Sequence, residues 1–388
     1  MLFLLAIFTL FQISHSQTII PLNTFKGGNV NTQIYSVPPY SLYVSAHMDS
    51  SIVLNRIFVK TDDNQIKSLE DLKHAKNTEG SGLLTPMKIQ STAYISSDLA
   101  DNQMASLEGF IYITTAKQSN DYNFKVFDVD QSQMIRSSFL ICDPCTMVFL
   151  NTNNQMTPGL SSTLSTWRQG ADSTVKMYKN IPKDDAEANY SQFFGNPLES
   201  IDGPPQFIPI VEKFSVSLGA FYMKTTGDFY FLIQPYYFDP AGYTTTGYTS
   251  TGFYMKAVGQ QPKTITVNCV RDTRYSGITG ANVVGSLQSP DGRVTIQEND
   301  GTQYTSGTLT PASQIQGWST KTIGQNFTIS SESSDVGEFF VQYYVIQGQQ
   351  ISNTFAPTVA TSPKFETSTK GSGVASLMGV FMILTVIV

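Results

Sequence analysis

Few residues in this chain are equipped for chemistry. Its 388 residues hold three cysteines and three histidines. Cys142-Asp-Pro-Cys145 is a Cys-x-x-Cys. With a strand–helix–strand surround that spacing signals thiol redox catalysis, and with two further ligands it signals zinc. Neither surround is legible here, so in an oxidising compartment the pair reads as a disulfide, either Cys142–Cys145 or one of them with Cys269. We expect the local bridge, with Cys269 a buried free thiol beside Ile265 and Val267. Of the histidines, His15 falls in an expected leader, and His47 and His74 have no partner motif around them. No His-Glu-x-x-His, Gly-x-Ser-x-Gly or phosphate-cradling glycine loop is present. These patterns nominate no catalytic residue, no metal ligand and no cofactor.

Two acidic patterns resemble cation sites and are set aside. Asp128-Val-Asp130-Gln-Ser132 opens like a calcium loop, but Gln133 stands where glycine is needed and Phe139 where a bidentate Glu belongs. Asp62-Asp63 and Asp184-Asp185 read as solvated turns. Asn189-Tyr-Ser191 and Asn326-Phe-Thr328 are acceptors for N-linked glycans, provided the chain is secreted.

Secretion is what the two ends imply. Residues 1–13 (MLFLLAIFTLFQI) are apolar and followed by Ser14-His15-Ser16, so 1–16 reads as a signal peptide. The apolar run 374–388 has no cation after it and falls short of the ~20 residues of a spanning helix. Small residues and a polar spacer precede it, the pattern of a GPI-attachment signal. Ser368, Gly371 and Ser372 are the candidate lipid-attachment residues. A short tail-anchoring helix is the alternative.

The elements holding these residues read as strands. Ile265, Val267 and Cys269 alternate with Thr264, Thr266 and Asn268; Val294 and Ile296 alternate with Arg293, Thr295 and Gln297. Such period-two patterns put one face on a core and the other in water. Pro290-Asp291-Gly292 and Asn299-Asp300-Gly301 supply turns between runs. One helix start is legible, the capping box Ser68-Leu-Glu-Asp71, with an end expected by Asn77. A glycine and an acid lead into an aromatic strand at Gly109-Phe110, Gly227-Asp228-Phe229 and Gly337-Glu338-Phe339. That recurrence suits β domains of about 100 residues. A Tyr-Thr-Gly stretch over 242–254 reads as an edge hairpin, its glycines for bending and its tyrosines for contact.

The fold expected is therefore all-β: two or three tandem β-sandwich domains, of CUB-like or jelly-roll-like kind, with one short helix. The boundaries expected are 17–118, 119–258 and 259–348, then a Ser/Thr/Pro stalk over 349–373 and the tail 374–388. Lys and Arg number 24 against 30 Asp and Glu, a net charge of −6, which disfavours nucleic acid.

The segment Ile34-Tyr-Ser-Val-Pro38-Pro39-Tyr40-Ser-Leu-Tyr-Val44 resembles the Val-Pro-Gly-Tyr-type strand pair of nematode CUB-like secreted proteins. The resemblance covers roughly 18–115, and Asn55-Arg-Ile-Phe-Val59 falls within it. It departs from the family in lacking a Cys-x-Trp ahead of the segment and in carrying Pro39 for glycine. It implies an extracellular β-sandwich protein of adhesion or recognition, in some members tied to defence against infection (innate immunity). No calcium ligands carry over.

The function expected is a non-enzymatic, GPI-anchored glycoprotein on the extracellular face of the plasma membrane. Its partner would be an extracellular protein or glycan, and its membrane contact a C-terminal lipid. Two readings compete: a secreted hydrolase whose site assembles only in the fold, and a passive surface-coat protein.

Overall fold

Side chains that alternate between core and outside carry much of this chain into strands. Ile57–Thr61, Phe229–Gln234 and Asn326–Ser331 each bury every second residue, as a pleated strand with one packed face must. The computed structural model describes residues 17–351 except 48–50, 76–81, 155–157, 185–190, 200–203, 240–242, 259, 262, 286–293, 300–302, 307–315, 321–322 and 332–336. The expected signal peptide, Asn189, Ser368, Gly371, Ser372, the stalk beyond residue 351 and the apolar tail lie outside the described residues.

The strands form six sheets, packed as three pairs. In the first pair, one sheet runs Thr18–Pro21, Gly109–Ile113, Tyr40–Ala46, Met87–Ile89, and the other runs Thr32–Ile34, Ala93–Ser97, Ile57–Thr61, Ile66–Ser68. Between them lie Leu42, Val44, Ile111 and Ile113 against Ile34, Ile57, Val59 and Ile95. The Val-Pro-Pro-Tyr segment of the CUB-like resemblance enters this pair as the strand Tyr40–Ala46.

The second pair sets Gln192–Asn196, Thr174–Lys179, Ala220–Thr226, Cys145–Leu150, Phe124–Asp128 against Gln133–Arg136, Phe229–Gln234, Ser161–Gln169, Phe214–Ser217. Its core is aromatic, with Phe149 stacked between Phe127 and Phe221 and Trp167 stacked on Phe231. The third pair sets Ile210–Val211, Ser250–Lys256, Phe339–Gln350, Tyr275–Gly285, Gln316–Ser319 against Tyr243–Thr245, Ile265–Asn268, Asn326–Ser331, Val294–Glu298, Gln303–Ser306. The fold is all-β, as expected, and it has three sheet pairs among the described residues.

Two sheets are buried on both faces, which welds the pairs together. Cys145–Leu150 turns Met147 and Phe149 into the second core, and Val148 and Leu150 toward the first pair, where they meet Tyr43 and Tyr112. Phe339–Gln350 likewise sends Phe339, Val341 and Tyr343 inward and Phe340 toward the second pair. Such strands read as continuous apolar runs without alternation.

Several expectations need correction. The capping box is present, with Asp71 N–H donating to Ser68 Oγ at 3.0 Å, and its helix ends at His74, before Asn77 as expected, but it is not the one helix of the fold. Four more short helices occur, at Ser51–Leu54, Asp101–Ala105, Ala116–Asn120 and Ser137–Leu140. The third of these starts from a Thr115/Gln118 capping box that the sequence carries in plain view. The expected second unit, 119–258, sends Tyr243–Thr245 and Ser250–Lys256 into the third sheet pair. The 242–254 stretch is therefore no edge hairpin: its two strands belong to different sheets of one sandwich. The last strand runs through Gln350, past the expected start of the stalk.

Candidate functional site

A cleft of about 750 Å³ lies on the outer face of the second pair's four-stranded sheet. Three adjacent strands place Arg136, Tyr230 and Arg168 in one row, since Tyr230 is the cross-strand partner of both arginines. Directly paired residues share a face. Phe229 and Phe231, on either side of Tyr230, point into the core, so the row points outward.

Local irregularity aims each arginine. The pairing of Ser161–Gln169 with Phe229–Gln234 shifts register between Ser165 and Arg168, and Thr166 sits there at φ 54°. This bulge sends Trp167 into the core, edge-on to Phe194, and turns Arg168 out beside Tyr230. Arg136 ends its strand, and its guanidinium lies 4.9 Å from the centroid of Tyr230 and 5.5 Å from that of Phe139. Its Nε and Nη2 point at Met134 Sδ, 3.2 and 3.0 Å away. A thioether is a weak acceptor, so the cation keeps most of its hydrogen-bonding capacity.

A latched loop forms the cleft's other wall. Ser137 Oγ donates to Asp228 Oδ1 at 2.9 Å and accepts from Phe229 N–H at 3.2 Å. Asp143 Oδ1 accepts from Gly227 N–H at 3.1 Å. The expected Cys142–Cys145 disulfide closes the loop, and Cys145 is buried in the core. Between helix and disulfide, Ile141 is held at φ 51°, a region β-branched residues rarely occupy. Phe139 and Ile141 are left exposed on the loop.

A second cleft of about 570 Å³ opens between the first and second pairs, lined by Lys88, Lys125 and Tyr122 among others. Lys88 is committed to the carbonyl and hydroxyl of Ser119, and burial holds its amine below the usual lysine range. Lys125 lies 4.1 Å from the Tyr122 ring centroid, and burial depresses it in the same way.

The residues singled out from sequence are scattered. Asn326 opens the central strand of the third pair's outer sheet, half-buried, with Phe327 turned inward and Thr328 outward. Cys269 is a free thiol, half-buried and not fully buried, and burial pushes it up to about 12, helped by the charge of Glu298. His74 pairs with Glu70 on its own helix at 2.9 Å. His47 donates its backbone N–H to the Glu108 carbonyl. Asp128 is spent within the fold, accepting from Ser45 Oγ of the first pair at 2.8 Å. Hydrogen bonding from the side chains of Thr61, Gln65 and Ser91 lowers the Asp63 carboxyl to about 2. The structure places Cys142 and Cys145 at the end of the loop that begins at Ser137 on the cleft wall, neither of them lining the cleft, and brings none of the other candidate site residues there. Arg136, Arg168 and Tyr230 carry no sequence signal of their own, because their shared row arises from cross-strand register.

A protein-family model described as a transmembrane glycoprotein matches residues 37–386. No curated protein matches the chain. Among solved structures, the tandem CBM51 modules of a family 98 glycoside hydrolase from Streptococcus pneumoniae are similar at 8% identity, with a TM-score of 0.18, over 86% of this chain and 100% of that one. A DUF4785 family protein from Legionella pneumophila is similar at 10% identity, with a TM-score of 0.17, over 84% and 78%.

Proposed function

Since this chain belongs to the transmembrane glycoprotein family, we propose that it acts at the cell surface without catalysis, as a recognition protein that takes a ligand in the Arg136–Tyr230–Arg168 cleft. The observation that carries the reading is that row of two cations and an aromatic, presented on a rigid sheet beside a latched loop. Preformed polar groups around an open cleft suit binding. A hydrolase would need a base beside its nucleophile. The serine bonded to Asp228 is Ser137, no imidazole lines that cleft, and His74 is engaged by Glu70. The setting proposed is adhesion or defence at the extracellular face of the plasma membrane.

The full chain, displayed on cells and probed with glycan and protein arrays, is expected to show saturable binding that Arg136→Gln with Arg168→Gln abolishes. Finding no saturable ligand would leave the passive-coat reading, and turnover of an array substrate would leave the hydrolase.

Attachment through a lipid at Ser368, Gly371 or Ser372 is the second part of the proposal. Its support is the order of small residues, polar spacer and apolar run over 368–388, the pattern of a GPI-attachment signal. Among the described residues, which do not include this run, no helix is long and apolar enough to cross a membrane. Phosphatidylinositol-specific phospholipase C added to intact cells should release the protein into the medium. Retention on the cells would replace the lipid with a short spanning helix.

A further inference from the structure

We infer that the ligand of this cleft is an anionic glycan, its carboxylate or sulfate gripped between Arg136 and Arg168 over Tyr230. The inference rests on the recognition reading above and names the chemistry of its ligand.

The argument begins with unspent charge. Arg56 and Arg274 each hold a carboxylate, Asp98 at 2.9 Å and Asp272 at 2.6 Å. Neither Arg136 nor Arg168 forms an ion pair with any described residue, although Asp228 lines the same cleft. That carboxylate instead accepts the Ser137 hydroxyl. Two guanidiniums against the one carboxylate of Asp228 leave the cleft a net positive charge, on a chain whose overall charge is −6.

Geometry lets both cations reach one anion. Arg136 and Arg168 stand two inter-strand spacings apart, about 10 Å between backbones. Extended arginine side chains bridge that gap from both sides, and each planar fork can hold two oxygens of a carboxylate or sulfate. Arg136 already lies over the Tyr230 and Phe139 rings, so part of its side-chain freedom is given up before binding. Nucleic acid is disfavoured by the overall negative charge. The open cleft, the exposed Phe139 ring and the Ser138 hydroxyl beside it suit the mixed apolar and hydroxyl faces of a sugar.

The test measures binding of the full chain to hyaluronan octasaccharide (carboxylate only), dextran sulfate of similar length (sulfate only), uncharged dextran and poly-glutamate. At least one anionic glycan should bind, weakening as salt rises, while uncharged dextran does not. Arg168→Gln should weaken that binding by about tenfold or more, the worth of one charge-assisted bond, and Arg168→Lys by less. Arg168 is exposed, so an unchanged melting curve will certify the variant's fold. Equal binding of uncharged dextran, tighter binding of poly-glutamate, failure of both anionic glycans, or an Arg168→Gln variant that binds normally would each overturn the inference. A saturable ligand of another class on the arrays would overturn it while leaving the recognition reading standing.

Discussion

Gly252 lies directly across from Tyr343 in the third pair, and a Cβ there would fall inside the tyrosine ring. On the next strand over, Gly280 makes the same room for Tyr344. Successive tyrosines of one strand thus cover glycines on both neighbours, one on each face of the sheet. The glycines of the Tyr-Thr-Gly stretch are there for packing room as much as for bending. Gly247 adds a different use, its N–H donating to Glu212 Oε1 at 2.8 Å. Tyr343 is buried edge-on to Phe327, so it has nowhere to retreat from an added methyl. Gly252→Ala is expected to destabilise the protein by about 1–3 kcal/mol through overpacking. Urea unfolding of the full chain would measure it, and an unchanged midpoint would show that Tyr343 yields freely.

At the scale of elements, local signals were legible and shared ones were not. Alternation placed the strands at Ile265–Asn268 and Val294–Glu298, because Ile265, Val267, Val294 and Ile296 are packed in the core while Thr266, Asn268 and Gln297 between and beside them are half-buried or exposed. The glycine–acid–aromatic recurrence marks real starts: Gly109, Phe229 and Phe339 each open an interior strand of a sheet, one per pair. The doubly buried strands hid their character, since Cys145–Leu150 shows no alternation to read. The cleft was illegible for a related reason. Arg136 and Arg168 lie far apart in sequence and meet through cross-strand register and one bulge; neither leaves a signature in composition. The disulfide could be read because its partners are local, whereas its role as a latch on the cleft wall emerged only with Ser137 and Asp143 in place.

At the scale of the described unit, the three sheet pairs are joined through buried seams, and one polar contact tests how much the second seam matters. Gln192–Asn196 is an edge strand, and an edge leaves backbone donors and acceptors that need partners. Gln342 of the third pair supplies them: its Nε2 donates to the Gly195 carbonyl at 2.8 Å, and its Oε1 accepts from Gly195 N–H at 3.0 Å. The same amide nitrogen donates to Thr251 Oγ1 at 3.1 Å. Around this clasp Phe193 stacks on Phe340 with centroids 5.1 Å apart, so water has little access. Gln342→Leu keeps the bulk but strands a buried N–H and a buried carbonyl, each worth about 1–3 kcal/mol when left without a partner. We therefore expect a loss of about 2–5 kcal/mol in urea unfolding, with amide exchange at Gly195 accelerated beyond that of the first pair's core strands. If both the midpoint and the exchange at Gly195 stayed as in the parent, the clasp would be incidental, and the aromatic contacts with the Lys179–Glu338 ion pair would hold the second and third pairs together without it.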